Sequence, residues 1–397
     1  MSTSEIAALT DQYVMKTYGR LPLAFVRGEG CWLWDAEGKE YLDFLAGISV
    51  LGTGHCHPQV VAAICQQAGM LMHTSNLFHI EPQARLAKLL CDSSCAEKVF
   101  FCNSGAEANE AAIKLARKWA GQHKGPEART IISALNSFHG RTLAAVTATG
   151  QPKYHDPFAP LPPGFAYVPY NNLSALEQAA DDSACAILLE PIIAEGGILV
   201  PSVEYIQGVR RLCDERGLLL IFDEVQTGLG RTGKLWGYEH FGVEPDVFTL
   251  AKALGGGFPI GACLARGTAA VALEPGNHAS TFGGSHLACA AGLAAVGIIL
   301  AEDLAGNAAR QGELLRDLLL GLRAEVPLLA GVRGRGLLLG VELSEGVAGA
   351  VEEECREQGL IINKLGDDLL RLAPPLVVTE ADCREAVRRL KAALLAV

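Results

Sequence analysis

Three short stretches put reactive or ligand-ready groups directly behind apolar runs. The first, Asn103-Ser104-Gly105-Ala106-Glu107-Ala108-Asn109, follows Val99–Cys102 and opens a helical pattern. Ser104 and Glu107 have the spacing of a capping box. Free amides at a helix start, with the positive end of its dipole, suit a phosphate, and Gly105 lets a ligand come close to the backbone. In the second stretch, Leu218–Phe222 leads into Asp223-Glu224-Val225-Gln226. A carboxylate at the mouth of a buried strand is costly unless it meets a cation or a donor. In the third, Val247–Ala251 leads into Lys252 and then Gly255-Gly256-Gly257. A nearly buried lysine is uncommon unless its amine is used. Desolvation lowers its pKa from about 10.4, and a neutral amine attacks carbonyls. Taken singly, the three have ordinary explanations: a helix cap, a loop-capping acid and a snorkelling lysine.

Together they are the parts a pyridoxal phosphate site needs. Lys252 would form the Schiff base. Asp223 would keep the pyridine nitrogen protonated, so that the ring accepts electrons. The helix amides would hold the phosphate. Nucleotide sites are poor alternatives, because no GxxxxGK[ST] occurs, Lys252 precedes its glycines and no GxGxxG follows the early strands.

The elements that must position these groups follow from the pattern of apolar runs. Val99–Cys102, Ile131–Ser133, Ala186–Leu189, Leu218–Phe222, Val247–Leu250 and Ile260–Ala265 are short and unbroken, and helical stretches such as Pro82–Cys91 and Glu107–Trp119 lie between them. Such runs predict buried parallel strands of an α/β sheet, which binds ligands at its carboxyl edge. Pro157–Pro169, rich in proline, predicts a surface connection. An Ala/Leu-rich helical region runs from residue 285 to about Leu328. A smaller α+β unit follows, with strands Gly336–Glu342, Leu360–Asn363 and Leu369–Leu372 and helices Ala348–Gln358 and Glu380–Leu395. We expect residues 61–300 to form a large cofactor-binding domain and 301–397 a small C-terminal one, with residues 1–60 packing on the small one.

Bulk composition narrows the partners. The 397 residues carry 33 Lys+Arg against 44 Asp+Glu, a net charge of −11, with no basic block longer than pairs such as Arg210–Arg211. Nucleic acid, which demands a basic face, is not an expected partner. No apolar run approaches the roughly 20 residues of a membrane span. Met1–Glu5 lacks the look of a signal or transit peptide, so the chain is expected to be cytoplasmic or already processed. The twelve cysteines are scattered and predict reduced, mostly buried thiols. His55-Cys56-His57 cannot easily close around one ion, and no metal is expected. Only 19% of residues are charged while 50% are hydrophobic, which suits a chain that buries surface against a partner.

A resemblance covers nearly the whole chain, from about Tyr18 to the C-terminus. Phe222-Asp223-Glu224-Val225-Gln226-Thr227-Gly228-Leu229-Gly230-Arg231-Thr232-Gly233, then Pro245-Asp246 and Ala251-Lys252-Ala253-Leu254-Gly255-Gly256-Gly257, resembles the signature of class III pyridoxal-phosphate aminotransferases. Asn103–Glu110, Phe138-His139-Gly140-Arg141-Thr142, Glu190-Pro191, Glu195-Gly196-Gly197 and Ser280-Thr281-Phe282-Gly283-Gly284 are similar to the same family. Gly54–Pro58, Ser75–Phe78 and Arg371–Pro375 look most like the acetylornithine aminotransferases of arginine biosynthesis.

The resemblance implies the fold-type I transferase fold: a large domain with a mostly parallel sheet plus a smaller α+β domain. It implies a homodimer whose active site is shared between subunits. It makes Lys252 the Schiff-base lysine and proton carrier, with Asp223 on the pyridine nitrogen and Gln226 on the ring's phenolic oxygen. Val225 and Phe138 would cover the ring's two faces. Ser104, Gly105 and Ala106 would hold the phosphate, Thr281 would reach the phosphate of the neighbouring subunit's cofactor, and Ser280 would lie beside the substrate. Arg141 and Arg371 match the family's two carboxylate-binding arginines, and Glu195 the acid that pairs with Arg371. The expected reaction moves the ω-amine of N2-acetylornithine to 2-oxoglutarate. Succinylornithine, N-succinyl-diaminopimelate, ornithine and 4-aminobutyrate are alternative donors, and an aminomutase is a further alternative. One departure stands out: Ile193-Ala194 occupy positions where the family often has Gln-Gly. His139 receives no direct chemistry in this reading.

Overall fold

The computed structural model describes all 397 residues. In chain order the N-terminal strands are β1 (Phe25–Glu29), β2 (Trp32–Asp35) and β3 (Glu40–Asp43). The central strands are β4 (Lys98–Cys102), β5 (Thr130–Ala134), β6 (Phe165–Val168), β7 (Ala184–Leu189), β8 (Leu219–Asp223), β9 (Val247–Leu250) and β10 (Gly261–Ala265). The C-terminal strands are β11 (Leu329–Arg335), β12 (Leu338–Leu343), β13 (Leu360–Ile361), β14 (Asn363–Lys364) and β15 (Leu369–Leu372).

The seven central strands make one sheet in the order β4-β10-β9-β8-β7-β5-β6. The pairs β5/β6, β5/β7, β7/β8 and β8/β9 are parallel. The sheet is covered on both faces, which is why its strands are continuous apolar runs rather than alternating ones. Ile132, Ile187, Leu220 and Phe222 join one core. Their neighbours Ile131, Leu188, Leu219 and Ile221 pack on the other face against Ala111, Ala112 and Ala116 of helix Gly105–His123.

Two expectations need correction, and a third gains detail. Ile260–Ala265 is a strand, but β10 runs antiparallel to both β9 and β4. The segment between Leu250 and Gly261 is too short for the crossover of a dozen or more residues that a parallel neighbour needs. The proline-rich stretch 157–169 contains a strand, β6, which its flanking prolines disguised. It lies at the sheet's edge, paired only to β5. The helical region after residue 285 is two helices, His286–Ala301 and Leu304–Gly321. Asp303 breaks them apart at φ +48° and caps the second by accepting from the Gly306 amide. No single helix is long and apolar enough to cross a membrane.

Two smaller sheets flank the centre. Strand β13 pairs in parallel with β3, so N-terminal and C-terminal segments share a sheet. The other has the order β11-β12-β15-β14. The run at Gly336–Glu342 proves to be the second arm of a hairpin, β11–β12, whose turn contains Gly336. All twelve cysteines are free. His55 Nε2 contacts Asp43 Oδ2 at 2.7 Å, and His57 Nδ1 accepts from the Gln59 amide at the start of helix Pro58–Met70.

Candidate active site

Strand β10, antiparallel to both neighbours, leaves β4 pointing the same way as β9 and β8. The carboxyl ends of β4, β5, β7, β8 and β9 therefore meet at one edge of the sheet. A cavity of about 420 Å³ opens there, lined by Ser104, Gly105, Ala106, Phe138, Arg141, Asp223, Val225, Gln226 and Lys252, among others. Each sequence motif supplies one wall, because each is the first turn after a strand.

Asp223 ends β8 and is buried. Its Oδ2 accepts from Asn109 Nδ2 and His139 Nδ1, both at 2.8 Å, and its Oδ1 accepts from the Val225 amide at 3.0 Å. Asn109 is itself fixed, since it donates to the His139 carbonyl at 2.7 Å and accepts from Thr249 Oγ1 at 2.8 Å. His139 and Asn109 thus hold the carboxylate, a role that motif matching did not assign. One signal was available for Asn109: it lies four residues after Gly105, on the same face of the helix start. His139 Nε2 is buried without a partner. Glu224, the next acid in the sequence, turns into the fold and accepts from Thr227 Oγ1 and the amides of Gly237 and Tyr238. Two adjacent acids therefore part: one faces the cavity and one pins a loop.

Lys252 follows β9 with φ at +40°, in the region that side chains rarely adopt. Burial pulls its amine down to about 8, opposed by the negative charge of Glu195 and reinforced by Arg371. The group therefore exchanges its proton close to neutrality.

Ser104 caps the helix Gly105–His123 by accepting from the Glu107 amide. The reciprocal half of the box is displaced by one residue, because Glu107 accepts from the Asn103 amide. The first-turn amides of Gly105 and Ala106 have no intrahelical acceptor. A Cβ on Gly105 would lie 2.9 Å from Val225 Cγ1, so only glycine lets this helix start and Val225 share the wall.

Glu190 follows directly after β7, much as Asp223 ends β8. It is buried, and its oxygens accept from the amides of Phe138 at 3.0 Å and Ala194 at 3.2 Å. Burial raises its carboxyl to about 7. This residue ties the Phe138 turn to the segment carrying Glu195, and the same acid-after-apolar-run signature could have found it. Ile193 and Ala194, where the family pattern departs, are fully buried and do not line the cavity.

Arg371, on β15, is buried yet fully engaged. It pairs with Glu195, donates from Nη1 to Gln226 Oε1 at 3.1 Å and from Nε to Asn363 Oδ1 at 3.0 Å. Gln226 Nε2 donates to Glu195 at 3.0 Å, closing the triangle. Burial works to raise the Glu195 carboxyl, but Arg371 and then Lys252 hold it below its usual value. Arg371 and Glu195 do not line the cavity themselves and touch it through Gln226. Arg141 differs: it is exposed at the cavity mouth, 4.0 Å from the Tyr154 ring and 5.5 Å from the Phe138 ring.

Ser280 and Thr281 do not join this cavity. They line a second one, of about 600 Å³, with Ser75, Asn76 and Leu77. Ser280 Oγ accepts from Asn103 Nδ2 at 3.3 Å, so the two cavities adjoin across Asn103. Asn76 donates to the carbonyls of Ser280 and Gly283, tying together two loops that expose Leu77, Phe78 and Phe282.

The donor set fits pyridoxal phosphate. A fixed carboxylate stands at one wall, open helix amides and an aromatic ring at others, and an amine with a lowered pKa among them. Known proteins are similar over nearly the whole chain. The acetylornithine aminotransferase of Caldanaerobacter subterraneus subsp. tengcongensis is 52% identical over 95% of this chain and 96% of its own. An ornithine aminotransferase structure from Toxoplasma gondii, with partial occupancy of pyridoxal phosphate at its active site, superposes with a TM-score of 0.94 at 38% identity, covering 99% of this chain and 94% of that one. The acetylornithine aminotransferase of Elizabethkingia anophelis gives 0.90 at 35% identity and covers all of both chains. Residues 13–394 match the family Aminotransferase class-III. With its lysine, its aspartate and its helix start on one sheet edge, this chain belongs to the class III aminotransferases.

Proposed function

We propose that the protein transfers the ω-amino group of N2-acetylornithine to 2-oxoglutarate, giving N-acetylglutamate semialdehyde and glutamate, in arginine biosynthesis, with pyridoxal 5'-phosphate as cofactor. One observation carries the reading. Beside Lys252 lies a buried arginine already neutralised by Glu195, while a second arginine at the mouth has no acidic partner. That asymmetry suits a site that alternates between one-carboxylate and two-carboxylate substrates. The name of the relative at 52% identity supports the donor.

When bound, the cofactor supplies an electron sink for charge that develops at the amine-bearing carbon. Lys252 Nζ, close to neutrality in its proton exchange, would take the proton from that carbon and deliver it on the cofactor side. Asp223, braced by His139 and Asn109, would hold a proton on the pyridine nitrogen. The Gly105 and Ala106 amides, with Ser104, would bind the phosphate at the positive end of the helix. Phe138 and Val225 would cover the ring, and Gln226 would reach its phenolic oxygen. Glutamate brings two carboxylates, for Arg141 and Arg371. Acetylornithine brings one, for Arg141, and Glu195 keeps Arg371 neutral against the alkyl chain. An aminomutase, which needs no dicarboxylate partner, has no use for both arginines.

A homodimer belongs to this reading. Thr281 stands exposed in the second cavity, beside exposed Leu77, Phe78 and Phe282. There it would reach the phosphate of a second copy's cofactor, with Ser280 beside the substrate. Twelve unpaired cysteines suit the reducing cytoplasm.

The test is a panel of ω-amines with 2-oxoglutarate, ranked by kcat/KM: acetylornithine, succinylornithine, N-succinyl-diaminopimelate, ornithine and 4-aminobutyrate. Acetylornithine ranks first on this reading. A higher kcat/KM for ornithine reassigns the donor, and no turnover with any donor sinks the reading.

A further inference from the structure

Arg141 makes no hydrogen bond and no ion pair with any protein group, unlike Arg371. Its guanidinium instead lies 4.0 Å from the centroid of the Tyr154 ring and 5.5 Å from that of Phe138. The two rings meet edge to face at 6.1 Å, so they form one aromatic corner. Tyr154 sits in the short turn Pro152–Tyr154, and that turn is tied down on both sides. Gln151 Nε2 donates to the Ser137 carbonyl at 2.9 Å, and His155 Nε2 reaches the Val146 and Thr149 carbonyls at 2.9 and 2.6 Å. Lys153 Nζ lies 4.9 Å from the same Tyr154 ring and also has no ion pair, adding positive charge to the mouth.

A carboxylate could hold Arg141 in place, but each incoming substrate would then have to displace it. An aromatic face attracts the cation without using its N–H donors. The fork of donors stays open for a planar, two-point contact with a substrate carboxylate.

We propose that Tyr154 is the positioning residue for Arg141: its ring face holds the guanidinium over the cavity mouth with its donors free, and so sets affinity for the carboxylate that every substrate of this site carries. The proposal rests on the reading of Arg141 as a carboxylate binder.

The test uses the cofactor-loaded enzyme, with KM and kcat for acetylornithine and for 2-oxoglutarate, and the affinity of glutarate by calorimetry. Tyr154→Leu raises both KM values and the glutarate Kd by about 2- to 30-fold, with kcat at saturation little changed. Tyr154→Phe, which keeps the ring face, restores all three. In an Arg141→Ala background, Tyr154→Leu has no further effect. A Tyr154→Leu effect that persists undiminished without Arg141, or that Tyr154→Phe does not rescue, overturns the proposal. An Arg141→Ala enzyme with unaltered KM values instead overturns the reading of Arg141 itself. Should Tyr154→Leu fail to fold, Tyr154→Met is the second variant, held to the same outcomes.

Discussion

The two arginines of the site are held in opposite ways. Arg371 is buried, with 1% of its side chain exposed, and Glu195, Gln226 and Asn363 engage it from three sides. Arg141 is exposed and faces only aromatic rings. A buried cation must be paired, because an unpaired one would cost several kcal/mol in lost hydration. An exposed cation needs no partner, because water screens it. The difference teaches what each is suited to do. On the proposed function, Arg141 stands ready for any carboxylate, whereas Arg371 would accept one only when Glu195 gives way.

The largest break in that comparison is Arg371→Ala. It leaves Glu195 without its cation, and losing one half of a buried pair costs about 3–5 kcal/mol. Glu195 is 25% exposed, so the lower end of that range is expected in denaturant unfolding. The variant also loses its response to 2-oxoglutarate. Arg141→Ala has the opposite profile. Stability stays within about 0.5 kcal/mol. KM for both substrates rises about 10- to 100-fold, the worth of hydrogen bonds to a charged group. Equal loss of stability in the two variants would erase the distinction between a paired and a waiting arginine.

Glu195→Ala sharpens it further. With Arg371 released, KM for 2-oxoglutarate falls by up to about 5-fold, the worth of a partly exposed ion pair. Turnover of acetylornithine falls at the same time, because an unpaired cation now faces its alkyl chain. Half-reactions followed separately check this, and equal effects on both would count against the exchange.

The smallest effect concerns pH. Burial lowers the Lys252 amine to about 8, so the charged form dominates below that value and the free amine above it. Only the free amine is a nucleophile. Uptake of pyridoxal phosphate by the apoprotein, followed by visible absorbance, therefore accelerates as pH rises through about 8. A flat profile would assign the lowered pKa elsewhere.

Much of this site was legible because its residues are local to their strands. Lys252 two residues past β9, Asp223 ending β8 and Ser104 opening a helix after β4 each announce themselves by a polar group behind an apolar run. His139 and Asn109 were harder to read, since their part is to brace Asp223 from 84 and 114 residues away. Nothing in the types or spacing of Tyr154 and Arg141 signals that one lies on the other's ring.

The sequence alone determined six of the sheet's seven strands, its carboxyl edge and the three motifs placed on it, because hydrophobic runs and strand-end turns are short-range patterns. Only the tertiary structure decided which charges meet. Arg371 reaches Glu195 across 176 residues of chain, and Ser280 and Thr281 turn away into a second cavity. The direction of β10 was decided there as well, by the shortness of its connection and its pairing with β4. Ion pairing and cation placement depend on distances of a few ångströms between distant segments, and no local pattern encodes those distances.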